Sequence, residues 1–235
     1  MKNRKNFLDG SITVLKLDIK KLTEMVIQQY KNVIEAIKKR DSKLALAVIE
    51  EDSEINGLAE DIDLESMIII ARYQPVATDL RRVMTLNKLA YELERIADYA
   101  KNIAGYVITG NEKGVVESPE IIANLEKMFE AIFYMLEVNL EALHKEDKLL
   151  AREALMHDNI IDEAYEHNFH DLLNRFKEAT DENVQHMISM AFILNKQIER
   201  AGDHLTNISE HILYLIKGKR YYDDKSPLVD DLFTK

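Results

Sequence analysis

The chain has 235 residues, 46% hydrophobic and 31% charged, a globular balance with enough apolar material for a real core. A formal charge of −11 argues against nucleic acid as the main partner, because affinity for DNA comes largely from neutralising phosphates with Lys and Arg, and suits cations or basic protein patches instead. There is no cysteine, so disulfides and thiolate metal sites are excluded, and 7 Gly and 3 Pro are too few to punctuate an all-β fold.

The N-terminal stretch MKNRKNFLDGS is basic but lacks the apolar core of a signal peptide. The longest apolar runs, such as MIII beginning at Met67, are too short to span a bilayer. A soluble cytoplasmic protein without direct membrane insertion is expected.

From Val14, the residues Leu15, Ile19, Leu22, Val26, Val33 and Ile37 follow three- and four-residue steps, which predicts an amphipathic helix ending near Arg40. Asp41 and Ser42 offer a cap for a second helix, whose seam is Leu44, Val48, Ile55, Leu58, Ile62 and Ile69 and which ends near Arg72. Gln74-Pro75 interrupts it, since proline disfavours helical geometry in the residue before it and fits the first turn of the next helix. A third helix is expected from about Val76 to Thr109, on the order of 50 Å long at about 1.5 Å per residue. GNEKGVVESP, Gly110 to Pro119, reads as a linker.

Beyond the linker the pattern restarts. Ile121, Leu125, Met128, Ile132, Leu136, Leu140 and Leu143 match the first seam at an offset of 106, and Asp41, Ala45, Asp52 and Ile55 map onto Asp147, Ala151, Asp158 and Ile161. The third and sixth helices match at 105. The chain is therefore read as all-α, two tandem three-helix bundles related by an internal repeat over residues 1–112 and 113–218. The copies are related by a pseudo-twofold or by a simple translation. Residues 219–235 have no counterpart and are expected to be loosely ordered.

The two copies share charged residues as well as apolar ones. ELERIADYAKNIA, Glu92 to Ala104, and QIERAGDHLTNIS, Gln197 to Ser209, keep Glu94, Arg95, Asp98 and Asn102 as Glu199, Arg200, Asp203 and Asn207. At about 100° per residue these polar positions fall away from the apolar seam, so core packing does not dictate them. The second helix of each copy adds Asp52, Asn56 and Glu60, or Asp158, Asp162 and Glu166, expected to flank the seam rather than lie in it. Carboxylates four apart on a helix face the same way and repel unless a cation lies between them, and hard cations prefer oxygen ligands.

Candidate metal ligands are Asp52, Asn56, Glu94 and Asp98 in the first copy, and Asp158, Asp162, Glu199 and Asp203 in the second. The competing account is a solvated face, with Arg95 or Arg200 forming surface ion pairs worth about 0.5 kcal/mol or less. The one Glu-x-x-His, Glu141 with His144, lacks the second motif that a di-iron bundle needs. The remaining histidines show no regular ligand spacing, and Met67, Met84, Met128, Met135, Met187 and Met190 read as core filler. No phosphate loop, nucleophile elbow or zincin motif is present, so there is no catalytic constellation and no enzyme is expected.

QPVATDLRRV, Gln74 to Val83, followed by LERIADYAKNIA, resembles the signature of the PhoU family of phosphate-uptake regulators, and IERAGDHLTNI resembles its second copy. The resemblance covers about Ser11 to Lys217. It implies a cytoplasmic negative regulator of phosphate uptake and of the phosphate-starvation response. Such a protein associates with the ATPase of the phosphate ABC transporter and with a sensor histidine kinase, favouring the kinase's repressed state.

The resemblance also implies a homodimer and metal ions on surface Glu/Asp-x-x-x-Asp motifs, iron first, with Zn, Mn, Mg or Ca as alternatives. Carried onto this sequence, the motif pairs are Glu94 with Asp98, Glu199 with Asp203, and Asp158 with Asp162. Asp52 pairs with Asn56, a neutral oxygen where a carboxylate would bind more strongly. Arg81 and Arg82, opening the third helix, are candidate partner contacts. A metal-storage bundle and a plain helical adaptor are the rival readings.

Overall fold

The computed structural model describes residues 2–114 and 119–219. The middle of the expected linker and, apart from Lys219, the expected tail lie outside the described residues. Six helices make up the fold: α1 (Lys2–Lys39), α2 (Ser42–Tyr73), α3 (Ala77–Glu112), α4 (Pro119–Lys145), α5 (Lys148–Glu178) and α6 (Glu182–Lys217). No strand occurs among the described residues.

The helix boundaries follow local chemistry. Asp41 caps α2 by accepting from the backbone N–H groups of Lys43 and Leu44 at 2.9 and 3.1 Å, and its equivalent Asp147 caps α5 by accepting from Leu149 N–H at 2.7 Å. Gln74 closes α2 in the left-handed region at φ 45°, its N–H donating to Ile70 O, and Pro75 then separates α2 from α3. The second copy lacks this break, and Asp181 caps α6 instead. α1 starts well before the expected Val14, because buried Leu8 and Ile12 carry its seam towards the N-terminus. α3 likewise continues past Thr109 to Glu112.

Within each half, α2 packs along α3 and α5 along α6, with α1 or α4 completing the bundle. The apolar faces do not close into two separate cores. One continuous cluster runs through both bundles, joined where α3 lies on α6 and where α1 meets α4. At the second contact Tyr30 and Phe129, both fully buried, meet edge to face at 5.9 Å, and Tyr30 Oη donates to Ile96 O at 3.0 Å. Each such buried large side chain contributes about 1.5–3 kcal/mol by leaving water.

The choice between twofold and translation is made at the α3–α6 contact. Asn207 Nδ2 donates to Glu92 Oε2 at 3.2 Å, and Asn102 Nδ2 donates to Gln197 Oε1 at 3.4 Å. Residues 92 and 197 are equivalent, as are 102 and 207, so the two bonds exchange under a twofold rotation that sets α3 antiparallel to α6. Among the methionines read as core, Met128 and Met135 are fully buried. Met67 and Met84 are corrected by the structure: they are 53% and 42% exposed and lie on the outer surface of α2 and α3.

Candidate functional site

The antiparallel packing of α2 on α3 brings the first set of acidic residues onto one face. Asp52 does not flank the seam as expected but is 1% exposed, inside the bundle. A bare carboxylate there would be costly, and the reason it is tolerated is the lysine one turn beyond Asp98. Lys101 Nζ lies 2.8 Å from Asp52 Oδ2 and 3.8 Å from Asp98 Oδ1. Asn56 Nδ2 donates to Asp52 Oδ2 at 3.2 Å, and Gln29 Nε2 reaches Asp52 Oδ1 at 3.5 Å.

Asp98 is further engaged by Arg95, whose Nη1 is 2.9 Å from Oδ2. Glu94 completes the face, its carboxyl raised by burial and then by the charge of Asp98, with Arg95 opposing. The first face thus carries its own counter-charge.

The second face has the same scaffold and a different balance. Thr206 stands where the first copy has Lys101, and its hydroxyl donates to Asp158 Oδ2 at 2.9 Å. A hydroxyl satisfies one lone pair without supplying charge. Burial, together with Asp162, Asp203 and Glu199, pushes Asp158 up to about 6 against that hydrogen bond. Asp162 is raised by burial and by Glu199, and Asp203 by burial and by Glu199. Lys196, paired with Glu199, opposes the upward shift of Asp162.

Gly202 shapes this face: a Cβ at that position would stand 2.8 Å from Asp158 Oδ1, so the carboxylate sits against the α6 backbone where a methyl group would block it.

Among the described residues no group of three or more His, Asp or Glu side chains converges as a metal site. The donor chemistry nevertheless separates the two faces. The first, with Lys101 seated between Asp52 and Asp98 and neutral Asn56 beside them, does not fit an additional cation. The second, with four carboxylates, three of them held above the usual carboxylate range, fits a hard cation.

The partner-contact candidates are occupied within the chain. Arg81 Nε donates to Leu215 O at 3.0 Å, helping to close the C-terminus of α6, and its guanidinium lies 6.0 Å from the Tyr214 ring. Arg82 lies 3.4 Å from Asp79 and 3.4 Å from Glu146 at the α4–α5 turn.

Sequence reasoning missed a cluster at the α3–α6 seam. Glu92, 8% exposed, lies 2.6 Å from His204 Nδ1 and 3.6 Å from His211 Nε2, besides its bond from Asn207. Burial alone would raise its carboxyl, but these three partners outweigh it and hold Glu92 down to about 2. The available signal was the break in the repeat, Glu92 against Gln197, next to the apolar seam positions Leu93 and Ile198.

With the geometry established, known proteins provide a frame. The PhoU domain family profile matches residues 19–107 and again 125–212. The chain is 30% identical over 212 residues to the phosphate-specific transport system accessory protein PhoU homolog 1 of Thermotoga maritima, covering 90% of this chain and 89% of that one. It is 34% identical over 197 residues to the phosphate-specific transport system accessory protein PhoU of Escherichia coli, covering 84% and 80%. The crystal structure of PhoU from Pseudomonas aeruginosa superposes with a TM-score of 0.83 at 29% identity, over 90% of this chain and 99% of that one.

Proposed function

The chain belongs to the PhoU family, and from that premise we propose that it is a non-enzymatic, cytoplasmic regulator that restrains phosphate uptake and the phosphate-starvation response. Its relatives are named as accessory proteins of phosphate-specific transport, which supports a role in regulating that transport. In this reading it binds the ATPase of the phosphate ABC transporter and a sensor histidine kinase, and favours one conformation of each. A regulator of this kind shifts its partner's population by differential binding and performs no chemistry itself.

One observation carries the docking part of this reading. Leu64, Met67 and Ile68 on α2 and Leu80 and Met84 on α3 are exposed large apolar residues on the two helices that flank the Gln74-Pro75 turn. Their three- and four-residue spacing sets each group on one side of its helix. A contiguous patch of exposed apolar side chains is a usual mark of a protein interaction site, and these residues are the proposed one. No helix among the described residues is long and apolar enough to cross a membrane, so the chain would reach the transporter by docking.

A cation belongs to the proposal on the second face only, held by Asp158, Asp162, Glu199 and Asp203, with iron first by family resemblance. When bound it would supply the positive charge that Lys101 supplies on the first face. The test is capture from cells grown in high phosphate, with the full chain as bait. Recovery of the transporter ATPase and the histidine kinase is expected, and deletion of the gene should derepress starvation genes in phosphate-rich medium. Recovery of neither partner, with unchanged expression, would count directly against the regulatory reading.

A further inference from the structure

Two clefts of nearly equal size, about 720 and about 750 Å³, flank the α3–α6 seam. Six lining positions of one correspond to six of the other under the pseudo-twofold: five of the changes add a ring, add a cation or remove a carboxylate, and the sixth, Lys88 to Ile193, removes a cation. Where the first cleft has Ala59, Asp63 and Asn87, the second has Tyr165, Phe169 and Phe192 at the equivalent positions. Tyr91 is replaced by Lys196 and Glu92 by Gln197. The first cleft is lined by the carboxylates Glu60, Asp63, Glu92 and Glu94. The second has no carboxylate in its lining, on a chain of net charge −11.

The second cleft gathers cations and rings. Arg95, Lys196 and Arg200 supply the charge. Arg95 and Lys196 are tethered to Asp98 and Glu199, whereas Arg200 is exposed and forms no ion pair with another described residue. The ring of Phe169 lies 5.2 Å from Phe192 and 6.2 Å from Tyr165, and Lys196 Nζ lies 5.1 Å from the Tyr165 ring. Phe169 is 39% exposed, an apolar ring kept at the surface that the shared core of the two repeats does not require. The cleft is a broad groove open to solvent rather than an enclosed cavity.

We propose that this cleft between α3, α5 and α6 binds a nucleotide, its planar base against the Tyr165, Phe169 and Phe192 rings and its phosphates on Arg200, Arg95 and Lys196. A guanidinium matches phosphate oxygens in two parallel hydrogen bonds, and aromatic side chains accept any base on its π-face. Tyr165 and Phe192 also pack against the core, whereas Phe169 stands exposed beside them. The three rings and Lys196 stand on one side of the twofold only, Arg95 and Arg200 are equivalents that exchange under it, and together in this cleft they suit a ligand that is both anionic and flat.

The full chain, free of divalent metal and at fixed ionic strength, is titrated with ATP, adenosine and inorganic phosphate, with calorimetry for affinity and amide chemical shifts for location. Saturable ATP binding is expected, with shifts at residues 165, 169, 192, 196 and 200, and weaker binding of adenosine and of phosphate alone. Arg200→Glu should weaken ATP by at least about tenfold and Arg200→Lys by less, while Phe169→Ala should weaken ATP without affecting phosphate. Both positions are exposed, and circular dichroism checks that the variants remain folded. Absence of saturable binding at millimolar ATP, phosphate binding as tightly as ATP, or shifts confined to the opposite cleft would each overturn the proposal.

Discussion

Tyr99 and His204 occupy the same position in the two repeats, and they face each other across the axis that relates those repeats, with Tyr99 Oη 3.2 Å from His204 Nε2 and the ring centroids 5.5 Å apart. The other nitrogen of His204 holds Glu92 at 2.6 Å. The joint between the bundles therefore has a hydrogen-bonded part, and that part is asymmetric: Glu92 gathers two histidines and an asparagine, while its equivalent Gln197 receives Asn102.

This asymmetry makes the joint sensitive to acid. Glu92 is held at about 2 against 4.5 for an ordinary glutamate, so the native state gains from its ionisation. That contribution is present above pH 4.5 and is lost as the pH falls towards 2. Glu92→Gln should cost roughly 2 kcal/mol at pH 7, the difference from the unaltered chain closing on acidification. Urea unfolding at stepped pH measures it, and equal stability of the two proteins at pH 7 would contradict the assignment.

Lys101 is the counter-charge of a buried carboxylate. Lys101→Met should destabilise the chain by about 2 kcal/mol, because Asp52 is left with the amide partners Asn56 and Gln29 and no counter-charge. Adding Asp52→Asn should restore most of the loss. A double-mutant cycle on thermal melts decides, and additive effects of the two changes would show that the pair is not coupled.

Asp158 carries the opposite sign. Its carboxyl is raised from 3.8 to about 6, so the native state holds its proton more tightly than the unfolded chain. The resulting stability is complete below pH 3.8 and disappears as the pH rises through 6. In chelator, Asp158→Asn should therefore be more stable than the parent by on the order of 1 kcal/mol at pH 8 and should match it below pH 4, allowing for partial solvent screening. Added Mn²⁺ should stabilise the parent and leave Asp158→Asn less affected, while Glu94→Gln should respond as the parent does. An equal response of Asp158→Asn and the parent to the cation would remove the second face from consideration.

The exposed methionines give a prediction about partners. Met67→Glu and Met84→Glu lie outside the core and should change stability by no more than about 0.5 kcal/mol. Loss of transporter ATPase from pull-downs with these variants is expected, and unchanged recovery would exclude this surface as the docking site.

Much of the architecture was legible from periodicity and offset. Asp41 and Asp147 announced their helices because a capping carboxylate acts on the next three residues, all local in sequence. The recurrence of Glu94 and Asp98 as Glu199 and Asp203 identified the acidic faces for the same reason. What stayed hidden was depth and counter-charge. Asp52 looks peripheral on a helical wheel and is interior because α3 closes over it, and Lys101 matters because it crosses from α3 to α2, a contact no single-helix pattern contains. The two clefts were equally invisible, since each is built from three helices distant in sequence.

The twofold joint described above has a further meaning. In a symmetric dimer of one repeat, any residue on the axis must meet its own copy, so tyrosine would meet tyrosine and glutamate's neighbours would be duplicated on both sides. Fusing the repeats into one polypeptide lifts that restriction. A tyrosine can greet a histidine, a lysine can stand where its twin is a threonine, and one groove can turn acidic while its mirror gathers arginine and rings. Tandem covalent linkage is thus what allows a self-similar scaffold to offer two unlike surfaces at a fixed distance.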